Sequence, residues 1–584
     1  MHNRNWVGVA AALAIVLAIP IILLGSTTDR EETIIVAFEG GPAPAPETAN
    51  PFSLTAYYNQ GLIQMCMESL FYLNVESGEL VPWLAEGYEY NDECTEVTLY
   101  LRKGVYWSDS EPFTADDVVF TLGLLQDYGE ELWRGDIIRD LVQEVSRIDE
   151  YTIHMTLTRP YPRFILEEFS VHVGDSIVIV PEHIWRDQDP TTFANFDLGR
   201  GWPVFTGPYQ LVECTPERFV YIRRDDWWAA SAGVHDLPSA KYLVFIAQPN
   251  EAARAALIAD GEVDALPQVT LHSFEWVQAQ NPNIIAWTGY APYGWYSPCP
   301  MYLDINTTTP PWDDPEMRWA LSYAIDKELF AELAFPGGGG IATSFIMPEY
   351  PLLQTLVEEN GDLFEKFPVL EFNPTKAGQI LDQHGYLQGQ YGWRLDSNGD
   401  PLTVKILLVE PGHDDFWRLA GPVLQSMLEQ IGVLAEIVAE PFAAMKSDSA
   451  AGLFQCRVGW ACGSLTDPFR SLDNFHSRYV TEVGVQATHN FGRWSSEEFD
   501  ALVDEIAALQ PGDDRIAPLF RDALAIWLAG LPCVPLCQHF RIYPLNTEYW
   551  TNWPSSANDY FSPVINWMSL HQILINLQPA DRDS

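Results

Sequence analysis

The stretch LVPWLAEGYEYNDECTEVTLYLRKGVYWSDSEPFTADDVVFTL, Leu80 to Leu122, decides how this chain is read. Within it, EVTLYLRKGVYW alternates apolar and polar residues with the period of a strand, so one face is offered to a core. Thr114-Ala115-Asp116-Asp117 then places an N-cap and an acidic first turn ahead of the helical pattern VVFTLGLL. A strand pair feeding a helix is predicted. The alternation continues outward with no repeat period. A strand-like TIIVAF precedes a loop at 40–46, where three prolines remove donors. EAARAALIADGEVDAL reads as a helix closed by Gly261, and DPEMRWALSYAIDKELFAELAF as one amphipathic helix starting beside Pro315. NPTKAGQILDQHG and WRLAGPVLQSMLEQIG are helix-then-glycine units, the second leading into VLAEIVAE, which is α/β organisation with parallel crossovers.

At 584 residues the chain holds roughly four domain equivalents. Its 47% hydrophobic and 19% charged residues exclude a disordered, collagenous or coiled-coil chain. Lys plus Arg is 32 against 80 for Asp plus Glu, a net charge of −48 that repels a phosphate backbone and excludes nucleic acid as a partner. Such acidity is either a coat adapted to salty or acidic surroundings or a bias of lineage, and neither names a ligand.

Residues 6–25, WVGVAAALAIVLAIPIILLG, form a nearly unbroken apolar run after Arg4, long enough to span a bilayer. It exceeds a signal-peptide core and no A-x-A site follows, so the expectation is an uncleaved membrane anchor over 1–32 with the body outside the cytoplasm. Leu23-Leu24-Gly25-Ser26 has a serine where a lipoprotein box needs cysteine. Eight cysteines (Cys66, Cys94, Cys214, Cys299, Cys456, Cys462, Cys533, Cys537) suit disulfides or buried thiols, their pairing open among 105 possibilities. Their spacing lacks the C-x2-C pairs and nearby histidines of a zinc site, so no metal is expected.

The chain carries no G-x-S-x-G elbow, H-E-x-x-H helix, Walker A loop or strand-following G-x-G-x-x-G. Gly337 to Gly340 read as a flexible turn, and Asp396-Ser397-Asn398-Gly399-Asp400 as a hairpin turn because a calcium loop's twelfth-position Glu is missing. Neither catalytic residues nor a cofactor is expected. Aromatic density stands out instead: Tyr57-Tyr58-Asn59 and the GWYSPCP segment around Trp295 and Tyr296 lie in Gly/Pro/Asn-rich surroundings typical of loops, and are cleft candidates.

Taken together, these segments resemble the family 5 extracellular solute-binding proteins, the peptide, dipeptide and nickel class that serves ABC importers. Leu80 to Leu122 is similar to that family's P-x-LA-x-x-W … F-x-LR-x-GV-x-(F/W)-x-DG-x-P-x-TA-x-DV signature, with Asp109-Ser110 in place of Asp-Gly. FTGPYQLVE, ALIADGEVDAL, LDINTTTPPWDDPEMRWALSYAIDKE, FNPTKAGQILDQHGY, QIGV and LPCVPL follow in the family's order. The peptide binders of the family place an aspartate three residues after a second-lobe tryptophan, to pair with the peptide's α-amino group. Here Trp460 is followed by Ala461, Cys462 and Gly463, and only Asp467-Pro468 keeps the later acidic pair. Without that carboxylate a buried ammonium costs several kcal/mol, unless Asp467 swings inward.

The resemblance implies a two-lobed α/β fold of the periplasmic-binding-protein type, class II in the large cluster. The first lobe would span 33–302, with an extra subdomain near 71–199 and a C-terminal return at 541–584; the second would span 303–540. Hinge strands are expected near Leu303 to Asn306 and Phe540 to Pro544. The implied ligand contacts are Tyr57, Tyr58 and Asn59, then Trp295 and Tyr296 near the hinge, then Trp460, Asp467 and Asn490 from the second lobe. Asn490 matches a family asparagine before a cleft-edge loop, and Asn-Phe-Gly is equally a turn. A monomer that captures peptides or peptide-like solutes for a membrane permease is the leading expectation. An oligosaccharide binder on the same fold, suggested by 21 tryptophans and the missing amine anchor, is the second, and an anchored enzyme or sensor the third.

Overall fold

The computed structural model describes residues 29–38, 41–54, 60–172, 176–335, 339–410 and 415–581. The apolar run at 6–25 and Tyr57, Tyr58 and Asn59 lie outside the described residues, as do Gly337 and Gly338. Among the described residues no helix is long and apolar enough to cross a membrane.

The deciding stretch folds as read. Ala85–Tyr90 and Glu96–Leu101 pair antiparallel, and Thr152–Leu157 and Val142–Asp149 extend them into a four-stranded sheet. The helix Ala115–Tyr128 follows with a complete capping box: the Thr114 hydroxyl accepts from Asp116 N, and the Asp117 carboxylate accepts from Thr114 N at 2.9 Å. Asp117 also accepts from Glu182 N at 2.9 Å and from the Trp107 indole at 3.3 Å, so the cap is buried and fastens the next segment.

A second four-stranded sheet belongs to the first lobe, in the order Thr33–Phe38, Tyr242–Ala247, Arg218–Arg223, Tyr209–Thr215, with only the first pair parallel. Leu545–Asn546 pairs with Ile284–Ile285, and the Trp550 indole donates to Thr33 O at 3.1 Å, so the chain's last segment returns to this lobe. The return is pinned at its core by Glu68. This buried carboxylate accepts from Trp83 (2.9 Å), Trp227 (3.3 Å) and Trp228 (2.7 Å), and faces His571 of the returning segment at 3.1 Å. Burial works against its charge, yet His571, Trp228 and Trp83 together hold the Glu68 carboxyl below its ordinary range.

The second lobe is built on a seven-stranded sheet, ordered Trp295–Tyr296, Cys533–Arg541, Met301–Ile305, Cys456–Trp460, Thr403–Val409, Leu434–Glu440, with Gly340–Ala342 also on Cys533–Arg541. Thr403–Val409 and Leu434–Glu440 run parallel and are joined by the helix Asp415–Gln430, the crossover the sequence predicts. Gly261, Gly385 and Gly432 all sit past helix ends at positive φ, and Gly399 turns the hairpin at Asp396.

The expected single helix from Pro315 is instead two, Pro315–Ala324 and Lys327–Ala334. Ile325 and Asp326 are extended between them, and the Asp326 carboxylate caps the second helix by accepting from Leu329 N at 2.9 Å. A capping aspartate outcompetes helix continuation there. Trp295–Tyr296, expected in a loop, is an edge strand of the second-lobe sheet. Backbone pairing to Cys533–Arg541 overrides the glycine and prolines around it.

Candidate interlobe site

Both lobes contribute side chains to a shared boundary. Arg163, from the turn before the helix Phe164–Glu168, reaches into the second lobe and is only 2% exposed. Its guanidinium meets Asp467 Oδ2 at 2.6 and 2.9 Å, and donates to the carbonyls of Ala507 and Ile506 at 3.2 and 3.3 Å, where the helix Glu497–Ala507 ends. Those carbonyls are the negative end of a helix dipole, which suits a cation. Asp467 Oδ1 accepts from Phe469 N at 3.0 Å, so both carboxylate oxygens are engaged. Alongside, Arg470 of the second lobe pairs with Glu167 of the first at 3.0 Å, and Arg134 pairs with buried Glu168 at 3.1 Å. One buried ion pair, Arg163 with Asp467, and one half-buried pair, Arg470 with Glu167, thus join the two lobes here.

Trp460 ends the strand Cys456–Trp460 and stacks on Phe442, with rings 6.3 Å apart and 12° from parallel. Two residues on, Cys462 forms a disulfide with Cys299, which ties the Trp460 loop to the segment entering the second lobe. A cavity of about 140 Å³ opens beside them, lined by Tyr302, Trp460, Cys462, His489 and Asn490 among others. Burial, with Arg470 and Arg478 close by, pushes the His489 imidazole down to about 4, so it is neutral at pH 7. Asn490 lines this cavity, but its amide is spent on its own turn: φ is +47°, and the side chain donates to the carbonyls of Phe475, His476 and Trp494 and accepts from Trp494 N.

Near the crossing between lobes, Trp295 is fully buried, its ring stacked on Tyr350 at 6.0 Å and its indole N–H donated to Glu76. Tyr296 is half-buried against Phe540, 4.8 Å between rings. The structure thus brings Trp460 and Asn490 to one cavity, places Trp295 and Tyr296 on an edge strand beside Cys533–Arg541, and sets Asp467 on an arginine. Sequence reasoning missed Arg163, whose partner lies 304 residues away with no local pattern to announce it.

The family model of the bacterial extracellular solute-binding proteins, family 5 (its middle region), matches residues 79–481. The dipeptide-binding protein of Escherichia coli K12 is 24% identical over 540 residues, covering 89% of this chain and 91% of that one. Heme-binding protein A of Haemophilus influenzae is 24% identical over 508 residues, covering 80% and 81%. Among solved structures, the periplasmic oligopeptide-binding protein of an oligopeptide ABC transporter from Thermotoga maritima superposes with TM-score 0.81 at 23% identity, covering 94% of this chain and all (100%) of that one. Its mannohexaose-bound form gives TM-score 0.74 at 24% identity, covering 95% and 99%.

Proposed function

Because this chain belongs to the bacterial extracellular solute-binding proteins of family 5, we propose that it is the capture component of an ABC importer, enclosing peptides or peptide-like solutes between its lobes. The observation that carries this reading is the pair of separate sheets, between which the chain passes at 286–294 and 542–544, joined by the buried pair of Arg163 and Asp467. A ligand closes such lobes only by the difference between its affinities for the closed and open arrangements. The aromatic faces of Tyr57, Tyr58, Tyr296 and Trp460 would stack on the ligand body, while Asn59 and the polar wall around Asn490 orient it. Asp467, held by Arg163, would act as part of the grip. No enzymatic role is proposed. The closed form, a monomer held at the outer face of the membrane by its N-terminal segment, would dock on a permease.

One feature favours a saccharide as the second reading. Gly463 stands where an amine-binding carboxylate is expected, and Asp467 is committed to Arg163, so neither supplies an ammonium partner in this arrangement. A relative of the same fold holds mannohexaose. The test is native mass spectrometry of the protein from Thr33 onward, purified without refolding, with identification of what denaturation releases. Short peptides are expected. Recovery of a saccharide instead would replace the leading reading with the second.

A further inference from the structure

The second-lobe sheet ends in an open edge. Leu434–Glu440 pairs with Thr403–Val409 on one side, and among the described residues no strand or bridge pairs with it on the other. Leu434 N donates to Leu402 O, and Glu440 O accepts from Glu410 N, so the even-numbered residues of this strand bond inward. The alternation of a parallel ladder then turns the N–H and C=O groups of Ala435, Ile437 and Ala439 outward. The Gln425 amide covers Ala435 O at 2.8 Å, which leaves the edge open at Ile437 and Ala439. Unpaired backbone groups in such a row are a template for another strand.

Side chains beside this edge form a surface with a definite pattern. Glu436, Val438 and Glu440 alternate along one face of the strand, and Val438 lies opposite Leu407. Leu407, Val438, Leu453 and Phe454 line a groove of about 450 Å³ together with Glu440. Two of these apolar side chains are open to solvent, Leu453 at 54% and Val438 at 37%. Glu440 Oε2 is buried and has no hydrogen-bond partner, and burial, then Asp448, raise its carboxyl. The cations on the elements around it are placed elsewhere: Lys405 reaches Glu436 at 3.7 Å, at the opposite end of the strand, and Lys446 lies over the Phe442 ring.

Charge limits what could cover the edge. A second copy pairing across a two-fold axis, in the register that seats Val438 on its counterpart, would set Glu436 of each copy against Glu440 of the other, and like charges directly opposite are destabilising. A strand with an apolar residue at Val438 and a basic residue at Glu440 is complementary instead, and the net charge of −48 favours its approach. We propose that the open edge at Ile437 and Ala439 is a docking site for an extended segment of a partner protein, which adds as a further strand. It would place an apolar side chain in the groove between Leu407, Val438 and Leu453, and a lysine or arginine on Glu440. This goes beyond solute capture and is independent of what the lobes enclose. Main-chain bonds to Ile437 and Ala439 would supply affinity, and the groove with its carboxylate would choose the partner.

The probes are two fluorescently labelled peptides with both ends capped, Thr-Lys-Thr-Val-Thr-Lys-Thr and its counterpart with glutamates for the lysines, and binding to the full chain is read by anisotropy. The lysine peptide is expected to bind about tenfold or more tighter than the glutamate peptide, and to weaken as salt is added. Ala439→Pro removes an outward N–H at an exposed position while the inward ladder remains, so it should weaken lysine-peptide binding about tenfold or more at an unchanged melting temperature. Glu440→Gln should cut the preference for lysine over glutamate several-fold, and it decides the matter if the proline variant does not fold. A peptide lodged between the lobes would be indifferent to both changes. Lysine-peptide binding unaltered in folded Ala439→Pro, a preference unaltered in Glu440→Gln, or no binding by wild type at millimolar peptide overturns the docking site. A doubled mass of wild type alone in light scattering, reversed by Ala439→Pro, would put a second copy on the edge and overturn it likewise.

Discussion

Ser110 occupies a left-handed backbone position at φ +75°, in the exposed turn where its N–H donates to Trp107 O at 3.0 Å. An L-residue there carries about 1–2 kcal/mol of strain, whereas glycine carries none but forfeits about 0.5–1 kcal/mol in chain entropy. Ser110→Gly should therefore raise stability by about 0.5–1 kcal/mol, read as a higher denaturant midpoint with unchanged slope; a lower midpoint would show that the turn is unstrained. At this scale the sequence was read well where chemistry is local. Thr114 and Asp117 lie three positions apart and fix their helix by hydrogen bonds within one turn. Trp295, by contrast, has the same neighbours whether it faces a ligand or Tyr350, and only the fold decides that its indole is spent on Glu76.

Between the helices Pro315–Ala324 and Lys327–Ala334 the break turns Lys327 inward, 1% exposed, with its ammonium on Ser322 O and Ser322 Oγ. Burial brings its pKa from 10.5 down to about 7. In the window from about 7 to 10.5 the unfolded chain holds a proton that the native chain lacks, so stability rises with pH across it and the penalty is full below. Lys327→Met should flatten that rise in urea-unfolding free energies measured from pH 7 to 9.5, and an equal slope in both proteins would refute the assignment. The element pattern explains why the break was not foreseen. Asp326 fits the polar face of one long amphipathic helix as well as it fits a cap, and periodicity alone does not separate the two. Parallel crossovers were legible because helix-then-glycine units are announced by the chain itself, as at Gly385 and Gly432.

Contact between the two lobes depends on groups that no stretch of sequence places together. Arg163 and Asp467 belong to opposite lobes, and separation of the lobes would return both charges to water. Arg163→Met removes the cation, leaving Asp467 buried alone unless the lobes part, and a lone buried carboxylate is unfavourable by several kcal/mol. The ligand-free variant should thus scatter X-rays with a larger radius of gyration than wild type, at a similar melting temperature because Asp467 is rehydrated by opening; identical scattering would show that other contacts hold the lobes. The fold at this scale was readable because the family signature spans much of the chain, while the grip depends on distances that only folding sets. The bond between Cys299 and Cys462 adds a dependence on address. It survives only where oxidants prevail, and it tethers the loop that presents Trp460. A copy that stayed among cytoplasmic thiols would carry that tryptophan on a slack strap and would be a poor scavenger of the cell's own solutes. On the proposed reading export would arm the molecule, and the same chemistry that marks the outside of the cell would tighten its grasp there.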